Sequence, residues 1–152
     1  MTANTPASRK AKGRRLQQAV RQDLVDRLGI DPGDILSTGM GQSGCDLYLS
    51  PAARTIFPFG VECKAQEAIA LPAWWRQCTR NAEAEGLAPL LILKQSRREP
   101  LAVLRWTDLL ALLSKVQNLR EAALEQVAQD RRPPATTDLN GTSASNLDWR
   151  RS

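Results

Sequence analysis

The 152-residue chain contains no histidine. This absence excludes Ser-His-Asp and Cys-His nucleophile systems, zinc sites with histidine ligands, and nucleases that use a histidine as general base. Any hydrolytic chemistry must therefore rest on carboxylates, lysine, serine or water bound to a metal ion.

Cysteine is scarce and apolar runs are short. The three cysteines, Cys45, Cys63 and Cys78, form no C-x-x-C pair, so neither a zinc knuckle nor a redox motif is indicated and free thiols are expected. No apolar run is long enough to cross a bilayer, and the basic N-terminus lacks the apolar stretch of a secretory signal. We therefore expect a cytoplasmic protein without a membrane partner.

The chain is basic, with a net charge of +5 and an isoelectric point near 9.6. Its length fits one domain plus tails, and a hydrophobic fraction of 42% allows a real but modest core. The charge favours a polyanionic partner, with nucleic acid ahead of a membrane surface. An ordinary basic protein is the alternative.

The N-terminal segment carries five basic residues and no acid: Arg9, Lys10, Lys12, Arg14 and Arg15. We interpret residues 1–12 as a flexible basic arm that either contacts phosphate or is simply solvated. An apolar stripe at helical spacing predicts a helix over residues 13–28, which Gly29 ends as a C-cap.

The rest of the pattern alternates between strands and helices. Strands are predicted at residues 35–36, 46–49, 55–57, 59–64, 90–93 and 101–105. Helices are predicted at residues 71–85 and 108–128, followed by a disordered polar tail at residues 129–152. This order predicts an α/β layered domain over residues 13–128.

Residues 39–44 spell a literal G-x-G-x-x-G. A dinucleotide site needs a helix to open at the end of such a loop, but a predicted strand follows here. No Lys-Ser or Lys-Thr pair follows Gly44, so the segment is not a Walker loop either. We interpret it as a mobile glycine loop beside an active site.

Asp46, Glu62 and Lys64 form the candidate catalytic group. Residues two apart on a strand share a face, so Glu62 and Lys64 project together while Cys63 points to the other side. Two adjacent carboxylates raise each other's pKa, and Mg²⁺ with its preference for oxygen ligands relieves this repulsion. The Cys63 carbonyl could add a ligand, and Lys64 could hold the nucleophile or stabilise charge. Solvent-facing charges on an edge strand are the alternative.

The segment Gly44-Cys45-Asp46, followed by Val61-Glu62-Cys63-Lys64, resembles the PD-(D/E)XK nuclease superfamily. Lys12-Gly13 at the start of the first helix is similar to archaeal-type Holliday junction resolvases and their phage-encoded relatives. The resemblance covers roughly residues 12–113. It implies a mixed central β-sheet flanked by helices, as in restriction endonucleases, and often a homodimer that grips branched DNA in a bacterial, archaeal or phage-infected cell.

The same resemblance implies a catalytic site with Mg²⁺ or Mn²⁺. Asp46 and Glu62 would be metal ligands, with the Cys63 carbonyl beside them, and Lys64 would be the catalytic lysine. Such resolvases commonly have a glutamate in the first helix, where this chain has Gln17. A glutamine can orient a metal-bound water but supplies no negative charge, so Gln17 is a candidate catalytic residue.

Polar and basic residues around this group are candidates for nucleic-acid contact: Lys12, Arg14, Arg15, Ser43, Gln66, Gln77, Arg97 and Arg98. Ser37 is an alternative to Ser43 as the serine of the glycine loop. For the arginines a solvated charged turn is the alternative, and for Gln66 it is a polar strand end. Of Trp74 and Trp75, one is expected in the core.

Three hypotheses follow. The first is a metal-dependent DNA endonuclease, a hydrolase of phosphodiester bonds that resolves junctions in recombination or in phage DNA processing. The second is a non-catalytic nucleic-acid-binding protein on a degenerate nuclease fold, which the glutamine at position 17 favours. The third is an adaptor that binds a protein partner through the tryptophan helix and the basic tails.

Overall fold

The computed structural model describes residues 5–39 and 44–131. Contacts divide the chain into two compact units, Met1–Leu113 and Ser114–Ser152. The first unit contains α1 (Pro6–Leu28), β1 (Ile35–Ser37), β2 (Leu47–Leu49), α2 (Pro51–Ile56), β3 (Phe59–Ala65), α3 (Leu71–Ala84), β4 (Ala88–Lys94) and β5 (Leu101–Val103). Helix α4 (Trp106–Asp130) begins in the first unit, and its residues from Ser114 onward belong to the second.

Helix α1 begins at Pro6, seven residues before the predicted start. Thr5 caps it, because its hydroxyl accepts a 3.2 Å hydrogen bond from the Ser8 N–H, and a proline is well tolerated in the first turn. The interpretation of residues 1–12 as a flexible arm is therefore wrong from Pro6 onward. The predicted end is confirmed, since Gly29 adopts a left-handed φ of 67° and closes the helix.

The predicted strand at residues 55–57 is wrong, because α2 occupies this position. Ser50 accepts a 3.2 Å hydrogen bond from the Ala53 N–H, and Pro51 follows as the first helical residue. This cap outweighs the strand propensity of Thr55 and Ile56. The strands predicted at residues 46–49 and 59–64 are therefore separated by a short helix.

Among the described residues the strands form two sheets. In one, β1 and β2 pair antiparallel, with Ile35 opposite Leu49. In the other, β3 pairs parallel with β4 through the α3 crossover, and β5 adds antiparallel on the far edge of β4. The predicted fold class, α/β with a mixed sheet flanked by helices, is confirmed. Asp46 directly precedes β2, which belongs to the separate two-stranded sheet.

Helices cover both faces of the mixed sheet. One buried cluster joins α1 to β3 through Leu16, Leu24, Val61 and Cys63. A second joins α3 to β4 through Trp74, Cys78, Leu91 and Leu93. Cys63 thus points away from Glu62 and Lys64, as predicted, and it packs against α1.

Gly60 allows α3 to approach β3 closely. A Cβ atom at this position would lie 2.7 Å from the Cβ of Ala82 and 2.8 Å from the sulfur of Cys45. Such distances are too short for any side chain, so only glycine fits here. This close approach brings the helix beside the segment that carries Asp46.

Helix α4 begins two residues before the predicted position 108. No residue of this helix, all of which is described, is buried. Of the predicted tail at residues 129–152, only residues 129–131 are described, and the remainder lies outside the described residues. No helix in the described part of the chain is long and apolar enough to cross a membrane.

Candidate active site

Strand β3 presents Glu62 and Lys64 on the face that α3 covers. The Lys64 Nζ donates a hydrogen bond to Glu62 Oε1 at 2.6 Å, which is also an ion pair. Both side chains are shielded from solvent, and Glu62 is only 3% exposed. A buried charge pair of this kind needs further hydrogen-bond partners, because each ion has lost its hydration.

Asp46 is fixed against β3 by two hydrogen bonds. Its backbone N–H donates to the Val61 carbonyl at 2.8 Å, and its Oδ2 accepts from the Cys63 N–H at 2.7 Å. These contacts bring the carboxylate from the β2 segment next to Glu62, although the two segments belong to different sheets. The predicted adjacency of the two carboxylates is present in the structure.

The electrostatics of Glu62 reflect this crowding. Burial raises the pKa of the Glu62 carboxyl above its ordinary value, and the charge of Asp46 raises it further. Hydrogen bonds from Lys64 and Asn81 oppose this pKa shift but do not cancel it. Among the described residues, Lys64 is the only cation that forms an ion pair with these two carboxylates, and a bound metal ion would relieve their remaining repulsion.

Helix α3 supplies two amide side chains, Gln77 and Asn81, that lie one turn apart on the same face. Gln77 Oε1 accepts a 3.0 Å hydrogen bond from Lys64 Nζ. Asn81 Nδ2 donates to the Gly44 carbonyl at 2.8 Å and to Glu62 Oε2 at 3.3 Å. Gln77, predicted to contact nucleic acid, thus holds the lysine, and Asn81 was missed although its spacing from Gln77 was visible in the sequence.

A second pair of missed residues, Arg54 and Glu85, supports the Asp46 segment. Glu85 Oε1 accepts a 3.3 Å hydrogen bond from the Cys45 N–H. Its Oε2 pairs with Arg54 Nη2 at 2.9 Å, and Arg54 also donates to the carbonyls of Leu49 and Glu85 at 3.0 and 3.1 Å. This network ties both ends of the β2 segment to the end of α3.

Gln77 and Asn81, together with the carboxylates and the lysine that they contact, line a cleft of about 650 Å³, here called the catalytic cleft. Its floor contains Asp46, Glu62 and Lys64, and Gln17 reaches it from α1, as predicted. Gln66 also lines it, beside Ala65. Three further cationic residues reach the same cleft. Arg9 and Lys10 belong to the basic arm that was expected either to contact phosphate or to be solvated, and Arg80 was not predicted.

Comparison with known proteins gives the family. Residues 8–139 match the family described as "Phage putative PDDEXK endonuclease". The chain belongs to this endonuclease family. It is also 30% identical to Protein D14 of Escherichia phage T5 over 115 residues, which are 65% of this chain and 72% of D14. No solved structure matches the chain.

Family membership confirms the resemblance to PD-(D/E)XK nucleases and their phage relatives, and nucleases of this kind use divalent metals. The donor set of this chain fits such an ion, because the adjacent carboxylates of Asp46 and Glu62 offer hard oxygen ligands. In the described part of the chain no group of three or more acidic, cysteine or histidine side chains is placed to bind a metal. Further ligands would therefore be amide or carbonyl oxygens or water, as Gln17 and Cys63 in the cleft allow.

The other predicted nucleic-acid contacts that the structure describes lie outside the catalytic cleft. Lys12, Arg15 and Arg97 line a neighbouring cavity of about 430 Å³, together with Lys94, and we call it the basic pocket. Arg14 and Arg98 line neither of these two described cavities. Ser43 lies outside the described residues.

Proposed function

We propose that the protein is a metal-dependent endonuclease that hydrolyses phosphodiester bonds of DNA and prefers branched junctions of the kind that resolvases cut. The observation that carries this proposal is the convergence of Asp46, Glu62 and Lys64 in one cleft. The similarity of the first helix to junction resolvases supports the substrate. The phage relatives support action in the cytoplasm of an infected bacterium, in recombination or DNA processing.

Asp46 and Glu62 would hold the cation, Mg²⁺ or Mn²⁺. Bound there, the metal would supply activation of water and neutralisation of negative charge on the phosphate. The hydrogen bond from the Cys63 N–H fixes one oxygen of Asp46, so its carboxylate is oriented before any ion arrives. Asn81 orients Glu62 in the same way.

Lys64 would stabilise the negative charge that develops on the phosphate oxygens. Its ammonium group is oriented by Glu62 and by Gln77, so little reorganisation is needed during the reaction. Gln17, reaching the cleft from α1, would hold the attacking water through its amide oxygen.

The cationic rim of the catalytic cleft would hold the DNA strand. Arg9 and Lys10 come from α1 and Arg80 from α3, so positive charges approach the cleft from two helices. Cations in this position contact phosphates and fix the register of the strand without reading its sequence. Gln66 would add a neutral hydrogen bond to the same strand.

We also propose a homodimer, which would let two catalytic clefts engage the two strands of a junction. Helix α4 offers apolar side chains for such contact, since Trp106 is 68% exposed and Leu113 is 54% exposed. Light scattering of the purified protein should give the mass of two chains. A Leu113→Glu variant should lower that mass to one chain.

The test of the proposed activity uses a labelled four-way junction and a linear duplex of matched sequence. Each is incubated with Mg²⁺, with Mn²⁺ or with EDTA, beside an Asp46→Ala variant. We expect metal-dependent cutting of the junction by the wild-type protein alone. Equal cutting of both substrates would reject the junction preference, and cutting in EDTA would reject the metal.

A non-catalytic DNA-binding protein on the same fold is the second candidate. The observation that favours it is Gln17, which lines the cleft at the place where resolvases commonly have a glutamate. This candidate predicts salt-sensitive DNA binding without cutting. It also predicts that Gln17→Glu introduces cutting, whereas the endonuclease proposal predicts that the wild-type protein already cuts.

A further inference from the structure

The basic pocket shares one wall with the catalytic cleft. Ala65, near the end of β3, lines both cavities, and Gln66 follows it in the catalytic cleft. If a phosphate of a DNA strand lies at Asp46 and Glu62, a nearby nucleotide of the same strand would therefore lie beside the basic pocket.

Helix α1 divides its residues between the two cavities by helical phase. Lys10, Gly13 and Gln17 follow one another at spacings of three and four residues and line the catalytic cleft. Lys12, Leu16 and Ala19 follow the same rule on the adjacent face and line the basic pocket. The two cavities thus flank one helix.

The interior of the basic pocket is largely apolar. Four apolar residues line it, Leu16, Ala19, Ala65 and Pro100, and we call this apolar set its floor. None of the pocket-lining residues that the structure describes is aromatic. A volume of about 430 Å³ lies within the range of small-ligand sites.

The rim of the basic pocket is cationic, with four positive side chains: Lys12, Arg15, Lys94 and Arg97. The carboxylate of Glu67 also lines the pocket, but it is already engaged. It accepts hydrogen bonds from the Ser96 N–H at 3.2 Å and lies 3.6 Å from Lys12 Nζ. Positive charge therefore remains in excess, and an anionic ligand is favoured over a cationic one.

We propose that the basic pocket receives one unstacked nucleotide of the DNA strand bound in the catalytic cleft. Its base would lie on the apolar floor, and its phosphates would contact Arg15 and Arg97 at the rim. An apolar interior beneath a cationic rim matches the two chemical halves of a nucleotide. This inference rests on the proposed DNA-binding function, and it deepens that function by adding a second contact to the strand.

The chain offers a matched pair of double variants. Arg15→Gln with Arg97→Gln removes two charges from the rim of the basic pocket. The control is Arg14→Gln with Arg98→Gln, which also removes two charges. In the described structure neither of these two arginines lines the basic pocket. Both variants lower the net charge by the same amount. A difference in DNA binding or fluorescence between them therefore depends on where the charges lie and not on the total charge.

The readout is the fluorescence of 2-aminopurine, placed singly at successive positions of the DNA and measured in EDTA. The fluorescence of 2-aminopurine is quenched when it stacks on neighbouring bases. It is not quenched when the base lies against aliphatic side chains without an aromatic neighbour. We expect a rise at one position with the wild-type protein and with the Arg14/Arg98 variant. The Arg15/Arg97 variant should lose that rise and bind DNA about tenfold more weakly.

A filling substitution tests the floor separately. Ala19 is exposed at the pocket and Ala11 is exposed on the same helix outside it, so Ala19→Phe and Ala11→Phe are matched. Only Ala19→Phe should abolish the fluorescence rise. The proposal would be overturned if the fluorescence rise persisted in both Ala19→Phe and the Arg15/Arg97 variant. It would also be overturned if the DNA-bound wild-type protein gave no rise at any position. Because no cutting is measured, failure of catalysis leaves this result interpretable.

Discussion

The backbone N–H of Cys63 donates a 2.7 Å hydrogen bond to Asp46 Oδ2. This bond joins the carboxylate of the residue that directly precedes β2 to the backbone of the mixed sheet. Together with the bond from the Asp46 N–H to the Val61 carbonyl, it sets the two acidic side chains side by side. The site is thus assembled by tertiary contacts, which hold two mutually repelling carboxylates together.

The first prediction concerns pH. Because burial and Asp46 raise the pKa of Glu62, the folded protein keeps a proton over a pH range in which the unfolded chain has lost it. In EDTA, the free energy of unfolding should therefore fall as pH rises from the ordinary carboxyl pKa of 4.5 through the raised folded value. Urea denaturation of Glu62→Gln should show no such fall. Parallel profiles for the two proteins would contradict this account.

Asn81 is expected to act as a positioning residue. Asn81→Ala removes the donor to the Gly44 carbonyl and to Glu62, so the carboxylate loses its orientation. We expect kcat to fall by about 10- to 100-fold with little change in KM, as is typical when groups behind metal ligands are removed. Arg76→Ala on the same helix, outside the described cleft, is the control. Equal activity of the two variants would show that Asn81 has no such role.

The Arg54–Glu85 pair should contribute to stability. Each side chain is about a quarter to a third exposed, at 32% and 26%, so solvent screening is partial. Glu85→Gln should lower the free energy of unfolding by ~1–3 kcal/mol, because charged hydrogen bonds to Arg54 are weakened. A double-mutant cycle with Arg54→Met, measured by urea denaturation, isolates the interaction. Purely additive effects would mean that the two side chains do not cooperate.

The thiols should be unreactive in the folded protein. Burial raises the pKa of Cys45 to about 12 and that of Cys78 to about 11, and Cys63 is raised as well. Thiolate is the reactive form, so a thiol reagent at neutral pH should modify no cysteine until urea is added, and then all three. Fast modification of the native protein would contradict the buried placement.

Much of the catalytic group could be predicted from local rules. The two-residue spacing of Glu62 and Lys64 fixes their common face on any strand, and the apolar neighbours of Glu62 indicate a buried strand. Gln77 was placed near the site by resemblance to a helix glutamine of related nucleases and not by a local rule. The actual contact of Gln77 with Lys64 could not be predicted, because it depends on the distance between α3 and β3.

The missed residues share a physical reason. Arg54 lies on α2, and reading that segment as a strand removed any basis for pairing it with Glu85. Arg9 and Lys10 were placed in a flexible arm, so their helical phase toward Gln17 could not be derived. Because the helix begins at Pro6, helical spacing places Arg9 and Lys10 at the catalytic cleft and Lys12 and Arg15 at the basic pocket.

The most direct test of the central claim is the rate of metal-dependent DNA cutting by Asp46→Asn. The amide can still accept the Cys63 N–H bond, so folding should be preserved while the negative charge is lost. We predict a fall of more than about 100-fold in rate with an unchanged melting temperature, and no change for the exposed Asp26→Asn. Cutting by Asp46→Asn at the wild-type rate would contradict the assignment of this site.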